Sequence, residues 1–364
     1  MRITYDEQIF AMHSTGGISR YITEIATRIA RRRRSAVTIV APIYVNKYLQ
    51  QHAATSSMRV IGRFFPKLPK MGRPIQYVST RIADVILPLF RSDVIHQTYY
   101  GPVRRVGKSR VVLTVHDMTH ELLPEFSKDL GSLKAKRAAI AECDHIICVS
   151  ENTKRDLLSV MNVEDSKISV VPLGATPLTV DPGACTWPSP FILFVGLRHG
   201  YKNFGKLLQS YADSFRLRES FNLICFGGGE FSKREKLEFA RLGLNPEKIT
   251  QIAGDDGTLA AYYSKAAAFV YPSLYEGFGL PILEAMGCGC PVACSKRSSF
   301  PEVAGGAARY FDPESSENMA EVLKDIVFSD TQRSSMIAEG HRRTGIFDWE
   351  RCAEATEKIY ATLT

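Results

Sequence analysis

Residues 273–291 read SLYEGFGLPILEAMGCGCP, between the apolar runs AAAFVYPS at 266–273 and PVACS at 291–295. A short apolar run that ends in a glycine turn and opens at once into a helix is the unit from which parallel α/β sheets are built. The turn predicts a helix start at Leu280, with Pro281 at a first-turn position where its missing N–H costs nothing. The backbone N–H groups of Phe278, Gly279 and Leu280 are then placed to meet an anion, helped by the positive end of the helix dipole. Glu276 and Glu284 lie eight positions apart around that turn. Carboxylates repel phosphates, so their natural partners are hydroxyls. Phosphate with hydroxyls on both sides describes a nucleotide sugar.

The same alternation extends outward in both directions. Strand candidates in the first half are RITYD, VTIVAP, DVIHQT, RVVLTVHD, HIICVS and ISVVPLG, with helices at 17–33, 74–90, 130–143 and 151–161. Residues 175–190, ATPLTVDPGACTWPSP, carry four prolines and no period, and read as a linker. Beyond it FILFVG, FNLICFG, KITQIAG, AAAFVYPS and PVACS alternate with helices near 203–217, 232–242, 257–267 and 280–287. A chain of 364 residues exceeds the size at which one core keeps growing. The expected fold is therefore α/β, two Rossmann-like, doubly wound parallel-sheet domains at 1–174 and 191–348 that face each other across a cleft.

At 45% hydrophobic and 23% charged residues the composition is that of an ordinary globular protein. No run approaches the roughly 20 apolar residues of a membrane span, and no signal-peptide core opens the chain, so a cytoplasmic location is expected. The eight cysteines form no C-x-x-C pair and read as buried thiols. Charge is uneven: residues 1–110 hold 19 Lys or Arg against five acids, an excess of 14 in a chain whose net charge is +8. Arg31 to Arg34, Arg59, Arg63, Lys67, Lys70 and Arg73, interleaved with Phe64, Phe65, Leu68 and Met71, would suit an anionic membrane surface, where each cation contributes about 1 kcal/mol. The alternatives are a plain solvated face or nucleic acid, and no recognition motif supports the latter.

GGISRY at 16–21, TVHD at 114–117, CVSENTKRDL at 148–157, VGLRHGYKN at 195–203 and the LPILEAMGCGCPV segment together resemble glycosyltransferase family 4, retaining enzymes of the GT-B fold. The likeness spans nearly the whole chain. GGISRY, HDMTHELLPE at 116–125 and SFPEVAGGAARYFDP at 299–313 make it most similar to mannosyltransferases that build bacterial O-antigen and exopolysaccharide. The resemblance implies a nucleotide-diphosphate sugar as donor, with GDP-mannose favoured and a UDP-sugar as the alternative, and a lipid-linked glycan as acceptor. It implies no metal and no other cofactor, and a last helix at 349–364 that rejoins the first domain.

Lys202 stands at a strand's carboxyl end, where open α/β sheets bind ligands. There a cation stabilises the charge that grows on a leaving diphosphate; the family lysine at this place has that partner. The family's arginine positions are held here by Leu197 and Tyr201, leaving Arg198, one step displaced, to supply a second positive charge. By the same resemblance Glu284 binds the ribose, Glu276 and His116 face the transferred sugar, and Gly16 and Gly17 let the backbone approach the diphosphate. By chemistry alone His116 is as readily structural, Asp117 a capping residue, and Gly227 to Gly229 a turn rather than a dinucleotide fingerprint, since Ser232 replaces the third glycine. The sequence offers no nucleophile on the far face of the sugar, which favours same-face substitution over double displacement. A GT-B sugar-nucleotide epimerase, a phosphorylase, and a non-catalytic polysaccharide- or nucleic-acid-binding protein are the competing readings. Acceptor recognition is expected in the basic loops around 44–73 and 99–109, and oligomeric state is left open.

Overall fold

A computed structural model describes residues 1–53, 57–66, 71–126, 130–176, 178–181, 183–187 and 190–364. The chain divides into two compact units, Met1–Gly174 with Asp348–Thr364, and Ala175–Phe347. Lys67, Leu68 and Lys70 of the basic stretch lie outside the described residues.

Among the described residues the first unit is built on a seven-stranded sheet: β1 (Arg2–Tyr5), β2 (Ala36–Tyr44), β3 (Arg59–Phe64), β4 (Val94–Gln97), β5 (Arg110–Val115), β6 (His145–Cys148) and β7 (Ile168–Val170). All pairs are parallel and the order is β3-β2-β1-β4-β5-β6-β7. The central strands are apolar because helices cover both faces; Ile3, Tyr5, Val112, Leu113, Ile146 and Ile147 are buried. The second unit holds a six-stranded sheet of β8 (Phe191–Val195), β9 (Asn222–Phe226), β10 (Ile249–Ile252), β11 (Ala268–Tyr271), β12 (Val292–Ser295) and β13 (Ala308–Phe311). Its order is β10-β9-β8-β11-β12-β13, again parallel. The order reverses between β1 and β4 in one unit and between β8 and β11 in the other, so each sheet has a switch point at which α/β proteins hold ligands.

The Trp349–Leu363 helix belongs to the first unit and packs along the Gly17–Arg31 helix. Glycine is required where it enters: a Cβ on Gly174 would sit 2.4 Å from the backbone nitrogen of Trp349. Arg28 and Arg32 pair with Glu350 of this helix at 3.1 and 3.3 Å, and Arg32 reaches Glu357 at 3.8 Å. Part of the arginine run expected at a membrane surface therefore neutralises a neighbouring helix, leaving Arg31, Arg33 and Arg34 exposed.

Other departures have local causes. Residues 59–64, read as part of the basic stretch, form the edge strand β3, whose Arg59 and Arg63 point to solvent as charged edges do. The helix expected over 203–217 is two, Phe204–Asp213 and Phe215–Ser220, because Ser214 is extended and its hydroxyl caps the second by accepting from Leu217 N–H. The helix expected over 74–90 runs Gly72–Ile86 and tightens into a 3-10 turn at Leu87–Leu89 around Pro88. Strand β13 and the Ser316–Val327 and Asp330–Thr344 helices, each capped by the serine before it, had no counterpart in the sequence reading.

Candidate functional site

Strand β8 ends at Val195 and the chain enters a turn at Gly200–Lys202 closed by Asn203, whose backbone is left-handed (φ 57°). The Asn203 side-chain amide donates to the carbonyls of Pro272 (3.1 Å) and Pro313 (2.8 Å), and Leu274 N–H donates to the Tyr201 carbonyl (2.8 Å). The turn is thereby fastened to the segment that follows β11. This brings Lys202 Nζ to 2.5 Å from Glu276 Oε1 and lets it donate to the Tyr271 hydroxyl at 3.3 Å. The ammonium also lies 5.3 Å from the ring centres of Tyr201 and Tyr271. Burial first, and then Glu276, push the Tyr271 hydroxyl well above its ordinary pKa, so it remains a neutral donor and acceptor. The sequence assigned Lys202 and Glu276 to different parts of a ligand. The structure makes them each other's counter-ion.

The turn after Glu276 is held by two serines that the sequence reading passed over. Glu276 N–H donates to Ser298 Oγ (3.2 Å), and Ser299 Oγ bridges the carbonyls of Glu276 (2.9 Å) and Phe278 (2.7 Å). The signal was present as a serine pair just before the Phe300–Ala304 helix. Gly279 caps the Leu280–Gly287 helix at φ 105°, and a Cβ there would press on the Phe300 ring at 3.1 Å. Pro281 occupies the first turn. Among the described residues no hydrogen bond takes the N–H of Phe278, Gly279 or Leu280. Glu284 is half-buried just over one turn further on.

Arg198 is placed differently from its expected part beside a diphosphate. Its side chain is 3% exposed; Nε donates to Glu235 (2.6 Å), Nη1 to the Gly227 carbonyl (2.9 Å) and Nη2 to those of Gly229 (2.8 Å) and Glu230 (3.1 Å). The guanidinium stacks 4.6 Å over Phe231. It holds in shape the loop of Gly227, Gly228 and Gly229, all of positive φ. A cavity of about 530 Å³ beside it is lined by Arg198, His199, Gly200, Phe204 and Gly228; Lys202, Glu276 and Glu284 are not among its lining residues.

In the first unit Gly16 (φ 144°) caps the Gly17–Arg31 helix, and both glycines are exposed. A Cβ on Gly16 would meet nothing within 4 Å, so the site is open to a close approach. His116 follows β5; its N–H donates to the Tyr100 hydroxyl (3.1 Å) and its ring stands edge-on to Tyr21 at 5.3 Å. Burial pushes its pKa down to about 4, against the opposing pull of Asp117 and with a smaller push from Lys136. The imidazole is therefore neutral near pH 7. Burial opposes the ionisation of Asp117, yet Lys136 and the Thr119 N–H and hydroxyl more than offset it and hold the carboxyl below its ordinary range.

Among the described residues no group of three or more His, Cys, Asp or Glu could hold a metal ion, and no helix is long and apolar enough to cross a membrane.

The pattern described as Glycosyltransferase Family 4 matches residues 15–177, and that described as Glycosyl transferases group 1 matches residues 187–343. O-antigen chain mannosyltransferase B of Escherichia coli is 26% identical over 371 residues, covering 95% of this chain and 96% of its own. Sucrose-phosphate synthase from Thermosynechococcus elongatus superimposes with a TM-score of 0.78 at 19% identity, over 100% of this chain and 98% of its own. Anabaena HepE in complex with UDP and glucose gives 0.72 at 18% identity, over 100% of both chains.

Proposed function

The chain belongs to glycosyltransferase family 4, as a hexosyltransferase of the GT-B fold, and from that premise we propose that it moves mannose from GDP-mannose to a lipid-linked glycan with retention of configuration. The observation that carries this reading is the Lys202–Glu276 pair beside the unpaired N–H groups of Phe278, Gly279 and Leu280, with Glu284 in the helix they open. Cation and N–H donors suit a diphosphate; the two carboxylates suit the ribose and sugar hydroxyls on either side. When a diphosphate draws Lys202 toward itself, Glu276 is released to accept from hydroxyls of the transferred sugar. As the bond from the anomeric carbon to the phosphate oxygen breaks, negative charge grows on that oxygen, and Lys202 and the helix N–H groups stabilise it more than they stabilise the intact donor. The acceptor hydroxyl attacks the same face, forming the new C–O bond, and passes its proton to the departing phosphate. His116, kept neutral, can donate or accept one hydrogen bond to a sugar hydroxyl. Mannose is favoured by the name of the Escherichia coli relative.

The partner surface of this reading is an anionic membrane. On the Gly72–Ile86 helix and the turn after it, Val78, Ile82, Val85 and Leu89 recur at helical spacing and are exposed by 44%, 37%, 69% and 76%, with Arg73 and Arg81 beside them. An unpaired apolar stripe with flanking cations is supported better by a lipid surface than by water.

The test is calorimetric titration of GDP, UDP, ADP and dTDP and their sugars into the protein and into Glu284→Ala. GDP and GDP-mannose are expected to bind, with the affinity lost in the variant by a factor of ten or more. UDP binding would move the donor to the alternative, and no binding by any of them would overturn the transferase site as drawn.

A further inference from the structure

Lys136 lies on the Leu130–Glu142 helix with Lys134 and Arg137 as exposed neighbours, yet it is itself buried, 4% exposed. Burying an ammonium is costly unless it is paired and hydrogen-bonded. Its Nζ donates to the Asp117 carbonyl at 2.6 Å and to Glu121 Oε2 at 3.0 Å, and it lies 5.2 Å over the Tyr100 ring. The Glu121 side chain is fully buried, and its other oxygen has no hydrogen-bond partner. Tyr100 in turn accepts the N–H of His116. One buried cation thus touches the residue that follows His116, the residue that anchors the His116 backbone, and the carboxylate of the helical turn at Thr119–Leu122.

A pair bought at this desolvation cost, with one carboxylate oxygen orphaned, is a poor device for stability alone. We propose that Lys136 is a positioning residue for His116: with Glu121 and Tyr100 it fixes the turn that presents the imidazole. This rests on the reading of His116 as a residue that faces the transferred sugar. The groups that bear on the imidazole are Tyr21 from the Gly17–Arg31 helix, Tyr100 from the loop after β4, His96 of β4, Asp117 on its own turn and Lys136.

The experiment compares the full chain with Lys136→Met/Glu121→Leu, which removes both members of the ion pair, and with Lys136→Arg. Three quantities are measured in each: the His116 imidazole titration by NMR, GDP affinity, and kcat and KM with GDP-mannose. In the double variant the His116 midpoint is expected to rise, GDP affinity to stay within twofold, and kcat to fall at least tenfold with KM little changed, since small misplacements cost such factors. Lys136→Arg is expected to recover part of the loss. A folded double variant whose His116 midpoint and kcat match the parent overturns the proposal. If the parent neither binds GDP nor transfers, the donor reading fails and the NMR midpoint alone decides the positioning. Should the double variant not fold, Glu121→Gln decides by the same titration: with its counter-ion gone, Lys136 is expected to lower the His116 midpoint further, and an unmoved midpoint overturns the proposal.

Discussion

The contact between Lys202 and Glu276 gives each residue a second state. Both side chains are about 15% exposed, so their attraction is only partly screened, yet a diphosphate carrying two or more charges outcompetes a single carboxylate for the ammonium. If Lys202 meets the growing charge as proposed, kcat of Lys202→Ala is expected to fall by about 10²–10³, the size of loss seen when one such donor is deleted. Glu276→Gln should act in opposite directions on two ligands. Free GDP, which carries no sugar for Glu276 to hold, is expected to bind several-fold more tightly because Lys202 is released, while transfer from GDP-mannose falls. Tighter GDP binding in Lys202→Ala, or unchanged GDP binding in Glu276→Gln, would refute the exchange. The turn that carries Lys202 and the glycine turn and helix that carry Glu276 and Glu284 were legible in the sequence, because a strand end and a Gly-Pro helix start leave a local pattern. The engagement of Arg198 was not: whether an arginine faces a ligand or the carbonyls of Gly227, Gly229 and Glu230 depends on a loop whose shape no local pattern encodes. Ser298 and Ser299 were missed for a related reason, since they brace a turn 21 to 23 residues before them in the chain.

At the scale of elements, buried parallel strands announced themselves as runs of Val, Ile and Leu, and the central strands of both sheets lie where those runs do. Of the four edge strands, β7 and β10 were read in the same way, and β3 and β13 were not. β3 reads RVIGRF, and its exposed arginines broke the apolar run and drew it into a reading about membranes. β13, ARYF, fails likewise, because its arginine is exposed at an edge. The membrane proposal rests on a different element, the Gly72–Ile86 helix and its following turn, whose exposed apolar face the sequence reading never singled out. Replacing Val85 and Leu89 by Asp is expected to reduce binding to vesicles containing anionic lipid by tenfold or more in a sedimentation assay and to leave GDP affinity unchanged. Both residues are largely exposed, so thermal stability should move little. Equal sedimentation of parent and variant would place any membrane contact elsewhere.

Over the whole molecule, the first unit is sealed by side chains that come from both of its chain segments. His96 is fully buried with both ring nitrogens engaged, one with the Tyr360 hydroxyl and the other with Thr114 Oγ1 at 2.9 Å; Tyr360 also meets the Tyr5 hydroxyl at 3.1 Å. Burial pushes His96 down to about 3 and His116 to about 4. Both folded values lie below the ordinary 6.5, so the stability that neutrality confers is complete above that pH and is lost as pH falls toward 4 and 3. Unfolding of this unit, followed through Trp349 in a Trp187→Phe background, is expected to lose on the order of 3 kcal/mol between pH 7 and 5. A flat profile there, where carboxylates hardly titrate, would count against the two histidines. The close approach at Gly174 has a temporal meaning as well. Tyr360 and Trp349 complete a core begun at residue 1, but they are joined to it through all of Ala175–Phe347. At ribosomal rates of about 5–20 residues per second the intervening segment takes roughly 10–35 s to emerge. Unit one therefore closes only after Ala175–Phe347 has emerged, because until the Trp349–Leu363 helix follows it His96 and Tyr5 lack the Tyr360 hydroxyl that meets them in the folded unit.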